Sequence, residues 1–215
     1  MKTFLKNNFL FIVPYLLFLS LGCVLIILNT KAEKHLEFNA FHSTVFDYFF
    51  YYFTFLGDGL VAVLVTIILL TVKYRYALLV GVSNTISALI TQFLKHGVFD
   101  NMVRPKKFFE GVHDLYFVPG VDNYLYNSFP SGHSTCAFSL YLSLSLILKN
   151  KMMKFVFFLI ALLVGYSRVY LSQHFFEDVY VGSIIGVSVT LMVYYFLTKM
   201  KKPLFEYSLL NSFKS

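Results

Sequence analysis

The chain has 215 residues, of which 58% are hydrophobic and only 13% charged, and its mean hydropathy is +0.68. Soluble domains usually carry about 25% charged residues, so the composition excludes an ordinary soluble domain and predicts an all-α, polytopic membrane protein whose main partner is the lipid bilayer. The net charge of +7 does not argue for nucleic acid, because the basic residues cluster in short connections between apolar runs, where they set topology.

Residues 9–28 are twenty residues without a charge, about the length that crosses a ~30 Å hydrocarbon core. The run is longer than the apolar part of a signal peptide and no small-residue cleavage site follows it. It is read as an uncleaved first span. Residues 31–57 mix charges with a dense set of Phe and Tyr and end at Gly57-Asp58-Gly59. They are expected to form an amphipathic helix lying in the interface between spans one and two, or a long helix merging into span two. Spans two to six are predicted at 58–72, 77–94, 133–148, 155–171 and 176–198, giving six in all. Between the third and fourth spans, residues 95–132 form the one long polar loop, and loops of that length are often functional. Cys23 and Cys136 lie far apart inside apolar runs and read as small buried hydrophobes. No Cys or His spacing suits a metal.

Orientation follows from counting. With the N-terminus, the 73–75 turn, the 149–154 turn and the C-terminus on one side, that side holds 11 of the 18 Lys and Arg. They are Lys2, Lys6, Lys73, Arg75, Lys149, Lys151, Lys154, Lys199, Lys201, Lys202 and Lys214, against one acidic residue, Glu206. Basic short connections favour the cytoplasm, so both termini are expected there.

The chemistry-bearing residues then converge on the opposite face. His174 and Asp178 are four apart at the start of a helix and share a side. A carboxylate there can hold one imidazole nitrogen and leave the other free to attack or to take a proton. Pro130-Ser131-Gly132-His133 opens span four. A helix N-terminus favours anions, Gly132 permits close approach, the Ser131 hydroxyl can cap the helix or donate to a phosphate oxygen, and His133 can protonate a leaving oxygen. Arg168, Arg104 and Lys95 can grip phosphate oxygens. Singly, each has a plain structural reading as a cap, an interfacial polar group or a snorkelling cation. Together they predict a phosphate-handling site with no cofactor and no metal.

This set resembles the type 2 phosphatidic acid phosphatase, or lipid phosphate phosphatase, superfamily, whose motifs are K-x6-RP, PSGH and SR-x5-H-x3-D. The second is present at 130–133 and the third as Ser167-Arg168, His174 and Asp178. The first departs from the pattern, since eight residues rather than six separate Lys95 from Arg104-Pro105. The resemblance implies a helical catalytic core over 58–198, preceded by the first span and aromatic helix (1–57) and followed by a basic tail (199–215). It implies His174 as nucleophile, Asp178 as its orienting partner and His133 as acid. Lys95, Arg104, Ser131, Gly132 and Arg168 become the phosphate ligands. The expected substrate is a lipid phosphate or pyrophosphate such as undecaprenyl pyrophosphate, phosphatidylglycerol phosphate, phosphatidic acid or lipid A, met at the outer face of a bacterial inner membrane. Alternatives are a phosphotransferase on the same scaffold, a vanadate haloperoxidase relative, which the six spans oppose, and a non-enzymatic membrane protein. The sequence leaves the oligomeric state open.

Overall fold

The structure, a computed structural model, describes residues 2–212, and no strand occurs among them. Helix α1 runs from Lys2–Leu28, α2 from Lys31–Asn39, α3 from Thr44–Phe53, α4 from Gly59–Val72 and α5 from Tyr74–Phe93. Then come the short α6 (Pro105–Phe109), α7 (Gly132–Ile147), α8 (Lys151–Tyr170), α9 (Phe176–Lys199) and α10 (Leu209–Ser212). Among the described residues, four stretches are long and apolar enough to cross a membrane: Phe4–Leu28, Tyr74–Val98, Lys151–Tyr170 and Phe176–Lys199. A fifth is possible if Thr44–Gly57 and Gly59–Val72, which meet at a 52° bend, are one broken span.

One expectation is met in part and one is corrected. Four or five of the six expected spans are long and apolar enough by themselves; the one expected at 133–148 is α7, which has 16 residues, against the ~20 of a typical span. Residues 31–57 are not one interfacial helix. Thr30 caps α2 through a capping box with Glu33, and Ser43 starts a separate α3 by accepting from Phe46 N. A 3-10 turn, Thr54–Gly57, then leads into α4, which Asp58 caps by accepting from Leu60 N at 2.8 Å. Capping residues spaced this way restart the helix three times.

Helix α7 can be short because it sits in the centre, packed by α5, α8 and α9. Ala137, Phe138, Leu140 and Leu142 are fully buried on it. Where lipid surrounds a bundle, helices are held by close packing and hydrogen bonds between small residues. The sequence supplies both. Ser131, Thr135, Ser139 and Ser143 recur every fourth residue on α7, and Gly182 and Gly186 face them from α9. A Cβ on Gly186 would lie 2.4 Å from Thr135 O, and one on Gly182 2.7 Å from Ser131 O. Thr190 donates to Ser139 Oγ at 3.0 Å, and Thr91 of α5 meets Thr135 at 3.2 Å. The outer helices carry exposed apolar side chains instead, such as Leu21 and Ile27 on α1 and Leu60 and Ile68 on α4. Cys23 is exposed on α1 rather than buried, and Cys136 is half-buried; both are free thiols.

The tail does not trail free. Its 3-10 turn, Pro203–Glu206, brings Glu206 to Lys73 and Arg75 in the α4–α5 turn, and α10 packs on α4. Of the basic residues counted toward orientation, Lys214 lies outside the described residues.

Candidate active site

The site forms where the chain enters α7 and α9 and leaves α5 and α8. Five residues link α8 to α9, and Ser172 among them has a left-handed backbone, φ 52°. This tight link turns His174 back toward the last turn of α8. His174 N and Gln173 N both donate to Arg168 O at 3.0 Å, so Arg168 and His174 are fixed to one another through the backbone.

His174 is 2% exposed. Its Nδ1 lies 3.3 Å from Asp178 Oδ2 and its Nε2 lies 3.4 Å from Arg104 Nη1. Asp178 Oδ2 also accepts from Phe175 N at 3.0 Å and from the Ser128 hydroxyl. Burial, reinforced by the cations Arg104, Arg168 and Lys95, holds the His174 imidazole well below its usual pKa. The ring is therefore neutral at ordinary pH.

Arg168 is 5% exposed, with Nη1 donating to Thr54 Oγ1 at 2.7 Å and Nη2 to Gln173 Oε1. Its Nε has no partner among the described residues. Arg104 precedes Pro105, the first residue of α6. It donates to the carbonyls of Tyr126 (2.8 Å), Gln173 (2.9 Å) and Asn127 (3.3 Å). Lys95 donates to that same Asn127 carbonyl at 2.9 Å. Asn127 has φ 57°, which turns its carbonyl toward both cations, and Asn tolerates the left-handed region better than most residues.

The unusual spacing of Lys95 and Arg104 has a structural reason. Helix α5 widens into a π turn over Leu94–Val98, where Phe99 N bonds back to Leu94 O at 2.7 Å. A left-handed Asn101 (φ 61°) then reverses the chain. A π turn accommodates more chain per turn than an α-helix. Despite eight intervening residues, the two cations end on one acceptor.

Lys95, Arg104, Gly132, His133, Arg168 and His174 line one cavity of about 480 Å³. Asp178 lies behind it, fully buried. Ser131 is not brought to the cavity wall. Its hydroxyl is buried and caps α7, accepting from Ser134 N at 3.4 Å and Ser134 Oγ at 2.9 Å. What opens on the cavity is the start of α7, Gly132 and His133, whose first amides have no intrahelical partner. Ser131 N donates to Asp178 O at 2.9 Å, tying the α7 entry to the α9 entry.

Sequence reasoning missed Thr54, Gln173, Ser128 and Asn127, which hold the charged groups, and also Asp58, which lines the cavity. Gln173 could have been suspected from its position beside His174. Thr54 and Asp58 carry no sequence signal of this kind, since they belong to a segment that reads as interfacial.

The arrangement can bind a tetrahedral dianion among three cations and helix N-terminal amides, with an imidazole beside it. Residues 76–202 match the sequence pattern of the PAP2 superfamily. The chain is similar to the crystal structure of Aquifex aeolicus LpxE, at 27% identity and TM-score 0.68, over 76% of this chain and 94% of that one. It is also similar to the crystal structure of a transmembrane PAP2-type phosphatidylglycerolphosphate phosphatase from Bacillus subtilis. That match has 25% identity and TM-score 0.65, over 89% of this chain and 98% of that one. No curated protein sequence matches.

Proposed function

The chain belongs to the PAP2 superfamily, and on that premise we propose that it is a membrane lipid phosphatase working through a phosphohistidine at His174. The observation that carries this reading is the state of the His174 ring. Arg104 can only donate, so Nε2, 3.4 Å from its Nη1, is the nitrogen with the lone pair. The ring proton then sits on Nδ1 and points at Asp178 Oδ2. Asp178 fixes the tautomer, and Nε2 faces the cavity as a nucleophile.

A lipid phosphate enters with its oxygens among Arg104, Arg168, Lys95 and the amides of Gly132 and His133. Burial, reinforced by Arg168, pushes His133 down to about 3, so the negative charge of the incoming phosphate is what lets the ring take up a proton and become an imidazolium. His174 Nε2 then attacks phosphorus, the N–P bond forms as the P–O bond to the lipid breaks, and His133 gives that proton to the leaving oxygen. Water then attacks phosphorus, the N–P bond breaks, and His133 takes the proton back. Most of the rate enhancement comes from positioning and from fixed positive charge. In this reading the guanidinium and ammonium groups do the work a divalent cation does in other phosphoryl transfers. Ser131 contributes as a positioning residue, by capping α7 and aligning those amides.

The same reading puts the site at the outer leaflet of a bacterial inner membrane. Lys73, Arg75, Lys149 and Lys151 lie in turns at the far ends of the helices that carry it, and basic turns favour the cytoplasm. The Bacillus subtilis structure, named a phosphatidylglycerolphosphate phosphatase, supports a lipid substrate. Phosphatidylglycerol phosphate, lipid A, phosphatidic acid and undecaprenyl pyrophosphate are the candidates.

The test is phosphate release by the detergent-solubilised protein with EDTA present, on each of those four lipids, for the wild type and His174→Ala. Release that persists in EDTA and vanishes in the variant is expected. Phosphate appearing on a second lipid instead of in water would reassign the protein as a phosphotransferase. No turnover of any of the four by folded protein would overturn the reading.

A further inference from the structure

The wall of the phosphate cavity is cationic, yet it carries two carboxylates, Asp58 and Asp122. Asp122 is exposed and meets the site through its backbone, its carbonyl accepting from Gln173 Nε2 at 2.9 Å. Asp58 is placed differently. It is half-buried and stands at the 52° bend where the 3-10 turn Thr54–Gly57 gives way to α4.

This bend lies against the first turn of α7. A Cβ on Gly57 would lie 2.9 Å from His133 O, so the glycine is what lets the two segments approach. Cys136 Sγ is 3.7 Å from Asp58 O. Asp58 Oδ1 caps α4, accepting from Leu60 N at 2.8 Å, while Oδ2 makes no hydrogen bond to the described residues. A carboxylate oxygen left free is out of place in a cavity suited to an anion, because like charges repel. Its charge is useful there only beside a group that must become positive during the reaction, and His133 is that group. Of the charges that act on the His133 ring, Arg168, Arg104 and Lys95 oppose protonation and Asp58 favours it. The neutral His174 ring faces it from the α8–α9 link. Asp58 itself also faces Arg168 and the Cys136 thiol. A bound phosphate adds negative charge, but three cations share it. Asp58 keeps its place through both steps.

We infer that Asp58 is a positioning residue for the acid–base step, its carboxylate holding the imidazolium form of His133 ready for the leaving oxygen and again for the proton taken from water. The proton moves between His133 and oxygen, and Asp58 never carries it. The inference rests on the phosphatase reading and adds to it a residue outside the three motifs.

The experiment uses whichever of the four lipids above the detergent-solubilised wild type turns over fastest. It follows kcat from about pH 5 to about pH 9 for the wild type, Asp58→Asn and Asp58→Ser, since an acid that must be protonated makes kcat fall as pH rises. Asn and Ser cap helices about as well as Asp, so α4 keeps its start and only the charge is lost. Losing a nearby negative charge lowers the pKa of the acid. In both variants the alkaline fall should therefore begin about one pH unit lower, with kcat reduced about tenfold at high pH and much less at low pH. An unchanged profile, or a loss of equal size at every pH, would overturn the inference and leave Asp58 as a cap. So would a wild type with no alkaline fall, or two variants that both melt far below the wild type. The phosphatase reading survives all of these results. If folded wild type turns over none of the four lipids, that reading falls and the role of Asp58 falls with it.

Discussion

Arg168 illustrates what a single residue needs in order to act. Its guanidinium is almost fully buried, with Thr54 and Gln173 each holding one nitrogen and Nε left unpartnered. A buried cation is tolerated only when paired and hydrogen-bonded, and a bound phosphate would complete the set. Arg168→Lys keeps the charge but loses the planar fork. In the proposed mechanism its kcat/KM for lipid phosphate should fall about a hundredfold, in line with loss of a main charge-stabilising donor. Thr54→Val removes only the support, and a drop of about tenfold is expected in the same assay. If Thr54→Val instead matched Arg168→Lys, Thr54 would be touching substrate itself. Ser131 also had two possible roles. The sequence allows a cap or a phosphate ligand, and the structure gives its hydroxyl to the cap.

Between elements, the decisive joint is α2 against the α8–α9 link. Asn39 donates to Ser172 Oγ and to Tyr116 O, both at 2.9 Å, and accepts from Tyr116 N at 2.9 Å. His35 Nε2 lies 3.3 Å from the same hydroxyl. Thus α2 buckles the long loop to the left-handed Ser172, two residues from His174. Ser172→Gly keeps the backbone freedom that φ 52° favours and deletes only the buckle's hydroxyl. Its kcat should fall about tenfold with KM little changed, because misplacing a reacting group slows chemistry more than binding. A variant with normal kcat and only a lower melting temperature would make α2 purely structural. The α7–α9 contact is a stricter joint. Gly186→Val would drive a side chain into Thr135 O and Ser139 N. Overpacking of about 1–3 kcal/mol should lower the melting temperature in detergent.

At the scale of the whole molecule, two buried histidines predict a pH-dependent stability. Burial pushes His35 down to about 4, and His174 lies well below its usual value for the same first reason. An unfolded imidazole titrates near 6.5. Between about 6.5 and 4 the unfolded chain therefore binds protons the folded one does not, and stability falls as pH drops through that window. Melting in detergent should occur at a lower temperature at pH 5 than at pH 7, and His35→Leu should flatten part of that slope. A melting temperature independent of pH would contradict the buried, neutral state of both rings. By itself, the sequence determined the membrane class, the helix positions at 58–72, 133–148 and 176–198 to within a residue or two, and the short list of charged residues around the site. Apolar run length, caps and turn charges are local properties, and they survive folding. It was the tertiary structure that showed α7 as a short central helix, since what lets 16 residues suffice is the surrounding α5, α8 and α9. Tertiary structure also decided where the two helices of 31–57 go: α2 buckles the α8–α9 link through Ser172, and α3, with the 3-10 turn after it, brings Thr54 to Arg168. Lys95 reached Arg104 for the same kind of reason. Its nine-position offset looks too long along the chain, but a π turn and one left-handed asparagine bring both cations to the carbonyl of Asn127, a distant partner that no local pattern announces.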